Sequence, residues 1–371
     1  MAQSAQTASG QQPDRAARRT WPNELNILLA LIIITAIFEL LNRLNGGSFL
    51  FNMRANVPAL FNEQRINVML LQVAITGIIA LGVTQVIIIG GIDLSSGSIV
   101  GATAMIAMSF AQTAIVNGNP NPKAIFGPAF MDLPVIIPIA VGIGCGLLAG
   151  LINGVLIAYT RTPPFIATLG MMVSARGVAH WWSNGDPISF PTSSYGAVSN
   201  GDILGGVSFG LLHWAGQNPV VIFAAMALLF QVALTYTVYG KRSYAIGSNE
   251  PAARMSGIKV SRHKVLVYAI AGLCSAVAAI LLTSKNLTAQ AGMGSMYELD
   301  AIAMAVIGGV SLSGGRGSII GTVLGAMIFS VIISGFTSIR LDPYYQEMVK
   351  GAIIVGAVIL DQWRQRRSAR G

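Results

Sequence analysis

The residues in this chain with the chemistry to act on a ligand are few, and they lie inside or beside long apolar runs. Asp93 stands in GGIDLSSGS, and Glu298 and Asp300 stand in YELDAIAMAV. A carboxylate at membrane depth is costly, so it has either a fixed partner or a task. Asp93 has two readings. It can cap the helix that restarts after it, taking bonds from the amides near Ser95 and Ser96, or it can line a polar path; both can hold at once. Asn153 and Arg176 are polar residues of the same kind, each inside an apolar run. Nucleophilic and metal chemistry fit poorly. His180, His213 and His263 are far apart, and HExxH and CxxC do not occur. Cys145 and Cys274 read as small buried side chains rather than a disulfide or metal pair. Gly240-Lys241 lacks the upstream glycine of a phosphate loop, so any ATP hydrolysis belongs to another chain. No catalytic residue, metal or cofactor is expected on this one.

Composition says what must hold these residues. Of 371 residues only 10% are charged and 53% are hydrophobic, against roughly 25% charged in soluble domains. Forty-two glycines suit membrane helices, where a missing side chain lets backbones approach. The formal charge of +9 is dispersed between apolar runs and forms no basic domain, which argues against a nucleic-acid partner.

Apolar runs of about 20 residues, the length of a bilayer crossing, fall near 24–44, 68–90, 97–116, 133–159, 165–183, 218–238, 264–285, 299–313, 316–336 and 344–361. The expected fold is therefore an all-α integral membrane protein of about ten spans. The first span reads as a retained anchor, with no cleavage site after it. With the N-terminus inside, only Arg43, Arg54, Arg65, Lys123, Lys285 and Arg340 fall outside; Arg176 and Lys350 fall within spans, and every other Lys and Arg is cytoplasmic. That bias places both termini in the cytoplasm. The expected parts are a polar tail 1–23, a membrane domain 24–363 with a cytoplasmic loop 239–264, and a basic tail 364–371. Segment 48–66 reads as an amphipathic surface stretch, and 184–217 as the longest external loop.

Glycine stripes mark where spans touch. Gly142, Gly146, Gly150 and Gly154 share one face of the fourth span, and Gly317, Gly321 and Gly325 one face of the ninth. Gly97 and Gly101 do the same on the third. GGIDLSSGSIVG (90–101) echoes GGVSLSGGRGSIIG (308–321), each a glycine pair, a polar turn and a restarted apolar run. Such interrupted repeats occur in transporters, whose freed backbone lines an interior site, and here the repeat reads as parallel. The candidate pathway residues are Asp93, Ser95, Ser96, Asn153, Asp300, Gly308 and Gly309.

The loop YGKRSYAIGSNEPAARMSGIKVSRHK, 239–264, holds one expected short helix, capped by Asn249, with Glu250 and Pro251 in its first turn and Gly257 as its stop. By physics alone it could seat in a partner's groove or rest on anionic lipid. AIGSNEPAARMSGI (245–258) resembles the cytoplasmic coupling segment of the ribose/xylose/arabinose/galactose permeases of ATP-binding-cassette (ABC) importers. ALGVTQVIIIGGIDLSSGS (80–98), NGVLIAY (153–159), PFIATLGMMVSARG (164–177), YELDAIAMAVIGGVSLSGGRGSIIGT (297–322) and YYQEMVKGAIIVGAVILD (344–361) match the same family in the same order. The resemblance implies a ten-helix permease of the bacterial inner membrane, working with a second permease copy, a cytoplasmic ATPase that carries the ATP and Mg, and a periplasmic sugar-binding protein. It puts coupling on Gly247, Asn249, Glu250, Ala252, Ala253, Ser256 and Gly257. An ion-coupled secondary transporter is the competing reading; it wants buried carboxylates to carry the ion, and only Asp93 is so placed.

Overall fold

The computed structural model describes residues 23–51, 61–202 and 217–368. The described chain is mainly helical. In order come α1 (Asn23–Leu44), α2 (Glu63–Ile88), α3 (Ser96–Ala111), α4 (Ile136–Tyr159), α5 (Pro164–Trp182), α6 (Ser193–Asn200) and α7 (Asn218–Tyr236). Then follow α8 (Val238–Ser248), α9 (Glu250–Met255), α10 (Val260–Asn286), α11 (Tyr297–Ile307), α12 (Ile319–Ser338) and α13 (Pro343–Ser368). Strand β1 (Ile115–Val116) pairs with β2 (Asn119–Pro120), and β3 (Ile188–Ser189) with β4 (Thr288–Ala289), both antiparallel.

Among the described residues six helices, α1, α2, α4, α7, α10 and α12, are long and apolar enough to cross a membrane. Every expected span meets a helix, but two are short. The third stops at Ala111 instead of 116, because Gln112 turns extended. The eighth stops at Ile307 instead of 313, where Gly308 and Gly309 turn the chain. The last runs the other way, with α13 continuing to Ser368 past the expected boundary at 363.

Helix α2 is the axis of the bundle, with every residue from Val73 to Ile88 buried. It is apolar on all sides, as a helix surrounded by other helices must be, and it touches α7, α10, α11 and α12. Beside it, α4 lies along α10 on the predicted stripe. A Cβ on Gly146 would sit 2.4 Å from the Gly272 carbonyl, and one on Gly150 2.3 Å from the Tyr268 carbonyl. Gly142 faces Ile280 and Ala107, and Gly154 faces Val265. The stripe is a backbone-to-backbone seam. On α12, Gly321 and Gly325 pack against Gly308 and the Met304 carbonyl. Gly317 does not join them: the helix begins at Ile319, capped by Ser318, and Gly317 sits before it against Val310.

Two expectations about the periphery change. Residues 52–60 of segment 48–66 lie outside the described residues, but Phe49 is buried against Phe38 and Val331 instead of resting on a surface. The region 184–217 holds β3 and α6, with 203–216 outside the described residues. β3 and β4 tie it to the loop after α10. Both cysteines are free, Cys274 buried against Gly82.

Candidate functional site

Loop 239–264 folds into two helices where one was expected. Thr237 caps α8 by accepting the Tyr239 amide, and the apolar face of α8 buries Ile246. Asn249 then breaks it and caps α9, its Oδ1 accepting the Ala252 amide at 3.0 Å. Gly257 closes α9 at φ +82°, a conformation that favours glycine. Glu250 accepts from Arg254 at 2.7 Å and from Lys264 of α10 at 2.8 Å. Partial burial alone would raise the Glu250 carboxyl, but the two cations outweigh it and hold it below its ordinary value. Ala253 is buried, while Ala252, Ser256 and Met255 face outward. Met255 is 91% exposed, an apolar knob that sequence reading had left out of the coupling set.

The end of α8 is wedged between the two copies of the internal repeat. The Gly315 amide, in the loop after α11, donates to the Ile88 carbonyl at the end of α2, 2.8 Å. Gly247 lies over that bond: a Cβ there would be 1.8 Å from the Ile88 oxygen and 2.5 Å from the Gly315 nitrogen. Gly314 packs on Gly90, and Gly315 on Ser248. Two tyrosines of α8 reach the same helices, Tyr239 donating to Gln85 Oε1 at 2.7 Å and Tyr244 to the Gly317 carbonyl at 2.8 Å. The copies end alike. Gly90 and Gly91 amides donate to Ile87 and Val86, as Gly309 and Val310 donate to Val306 and Ala305. The structural equivalence is therefore Gly90 with Gly309 (φ +78° and +84°), one residue off the pairing read from sequence.

Beyond Gly90 the chain runs irregularly to α3. Asp93 gathers its start: Oδ1 accepts the Ser95 amide at 2.8 Å and the Ser95 hydroxyl at 2.6 Å, and Oδ2 accepts the Ser96 hydroxyl at 2.8 Å. Of the amides expected, Asp93 accepts that of Ser95, the residue just before α3, and it takes the Ser95 and Ser96 hydroxyls in place of an amide of the helix's first turn. Asn153 of α4 donates to Ser95 Oγ at 2.8 Å, so four of the predicted pathway residues form one buried group. Asp300 is not among them. It is paired with Lys350 of α13 at 3.4 Å. Gly308 packs under Gly321, and Gly309 is exposed near Ile27. The carboxylate that does reach α3 is Glu298, whose Oε2 rests over Gly97; a Cβ there would be 2.0 Å away. One helical turn on, Arg176 of α5 rests over Gly101 and donates to the carbonyls of Ala291 and Met293 at 2.7 and 2.9 Å. The glycine pair on α3 was legible; the charges it accommodates were not assigned to it. Among the described residues no group of His, Cys, Asp and Glu could hold a metal ion.

This arrangement has a surface helix keyed to buried polar turns. The family described as "Branched-chain amino acid transport system / permease component" matches residues 65–358. The chain is 40% identical over 343 residues to the ribose import permease protein RbsC of Bacillus subtilis (strain 168), covering 91% of this chain and 92% of that one. It is 34% identical over 361 residues to RbsC of Escherichia coli (strain K12), covering 97% and 99%. With the galactose/methyl galactoside import permease protein MglC of Escherichia coli (strain K12) it shares 37% over 314 residues, 84% and 90% of the chains. No solved structure matches. With its six crossing-length helices it is a multi-pass protein of the inner membrane. A match across most of its length makes the chain a member of this family of ABC-importer permease components, a transport subunit and not an enzyme.

Proposed function

We propose that the chain imports a monosaccharide or related polyol, such as a ribose-type sugar, a hexose or a cyclitol, delivered by a periplasmic binding protein. Relatives named for ribose and for galactose support the substrate class. ATP and Mg are held by a partner ATPase on the cytoplasmic face. The membrane domain has ten crossings with both termini inside, and two permease copies flank one path. The observation that carries the coupling role is the contact of Gly247 with the Gly315–Ile88 bond, directly before the capped helix α9. In this reading Ala252, Met255 and Ser256 meet the ATPase, Asn249, Glu250 and Gly257 keep α9 rigid, and Ala253 seats it. Movement of α9 is passed through α8 to the ends of α2 and α11 together. Asp93, Ser95, Ser96 and Asn153 form the polar part of the path, with Asp300, Gly308 and Gly309 beside it.

The test is reconstitution of the permease with its ATPase and binding protein in liposomes. Uptake of radiolabelled ribose or galactose that needs both ATP and the binding protein is the expected result. Uptake by the permease alone, driven by an ion gradient, would overturn the reading in favour of a secondary transporter.

A further inference from the structure

Helix α11 has 11 residues, about 16 Å at 1.5 Å per residue, or roughly half a hydrocarbon core. Its last residues lead into the Gly308–Gly315 turn at the α8 end of the bundle, so its first turn lies about half-way across. Helix α3 begins at the same level, since Gly294 and Glu298, on either side of the start of α11, lie against Gly97. Two helix starts therefore face each other inside the bundle. Bare helix starts carry partial positive charge and attract anions. In transporters with broken helices that charge is what holds an anionic substrate group. Here it is offset twice: Asp93 sits at the start of α3, and Glu298 lies in the first turn of α11, its Oε2 over Gly97.

Two acceptors of this cluster are unused. Glu298 Oε2 and Asn153 Oδ1 are buried and have no hydrogen-bond partner among the described residues, on side chains 9% and 0% exposed. Orphaned buried acceptors carry a desolvation cost unless something meets them in another state of the protein. A solute with hydroxyl donors and no charge would meet both. An anion would face the carboxylates of Asp93 and Glu298, with Asp300 in the same first turn of α11; the Arg176 guanidinium, which would favour it, is already bonded to the Ala291 and Met293 carbonyls.

We propose that the facing starts of α3 and α11 form a subsite for an uncharged polyhydroxyl solute in transit, with Asn153 Oδ1 and Glu298 Oε2 accepting from its hydroxyls. The inference rests on the permease reading above and adds a place and a charge rule to it. In the conformation seen, Glu298 is closed onto Gly97; the subsite opens when α11 moves off α3, which the α8 joint is placed to cause.

The test uses the complete importer in liposomes, with Cys145→Ser and Cys274→Ala in the permease and Ser96→Cys as reporter. Asn153→Cys is the second reporter should the first fail to fold. The probes are a neutral and an anionic thiol reagent of equal size. Labelling should appear only during ATP hydrolysis, and the neutral reagent should react about tenfold faster, the lower end of charge focusing in a cleft. Glu298→Gln should narrow that ratio, and Arg176→Gln should widen it. A reporter that stays unreactive while the assembly hydrolyses ATP overturns the subsite, as does a ratio unmoved by both variants. The binding-protein-stimulated ATPase is read on the same samples without the substitutions. Its absence there counts against the permease reading, so the two failures are separable.

Discussion

Gly247 is the residue on which the coupling argument bears most directly. Alanine adds one carbon, but that carbon falls 1.8 Å from a backbone oxygen, where no flexible side chain can yield. Gly247→Ala should leave insertion intact and cut uptake per ATP hydrolysed by at least tenfold, the scale of a joint displaced by about 1 Å. Equal uptake-to-ATP ratios in wild type and variant would sink the assignment. Asn249→Ala removes a cap worth about 1 kcal/mol; amide exchange over 250–256 should quicken in it, with the membrane helices unchanged. Glu250 supplies a pH test. Its carboxyl is held below its ordinary value, so the Lys264 tie contributes fully above that value and is lost as pH falls through the lowered one. Amide protection of α9 in wild type should therefore persist below pH 4.5, the ordinary value, before it fails. In Glu250→Gln it should be lower at neutral pH and flat across that range.

At the scale of elements, the glycine seam between α4 and α10 makes the clearest forecast. Gly146→Leu forces a side chain into the Gly272 carbonyl and Ala276, and over-packing of that kind costs about 1–3 kcal/mol or more. The variant should lose detergent stability by thermal-shift fluorescence, whereas Gly144→Leu, which meets nothing within 4 Å, should not. This seam was legible because period-four glycines in an apolar run have few other uses. So was the capped helix, since Asn249 and Gly257 act locally. Helix α8 was not expected, because its ties run to distant residues: Tyr239 to Gln85, Ser243 to His263, Tyr244 to Gly317. Glu298 was passed over for Asp300 in the pathway set for the same reason. Both lie in one turn of YELDAI, and only the fold decides that one meets α3 and the other Lys350. The β1–β2 hairpin had a local signal that went unused, Asn117-Gly118 at φ +51° and +79°.

For the whole molecule, hydropathy placed helices but could not say how many reach both faces, because α3 and α11 are buried by neighbours irrespective of their length. The topology has a direct check. In a chain carrying Cys145→Ser and Cys274→Ala, Ser256→Cys and Arg161→Cys should react with an impermeant thiol reagent from the cytoplasmic side only. Asn119→Cys, on the hairpin, should react only from the other side. Reaction of Ser256→Cys and Asn119→Cys from one side would overturn the arrangement and with it the direction of coupling.

The hydrogen bond from the Gly315 amide to the Ile88 carbonyl joins the two halves of the fold through main chain alone. Side-chain truncation cannot remove a contact of this sort, since there is no side chain in it. A scan that deletes atoms would pass over the joint, and one that adds them would find it intolerant. Its natural reporter is isotopic: the Gly315 amide should exchange deuterium slowly in the resting importer, and fastest at the moment the two halves part.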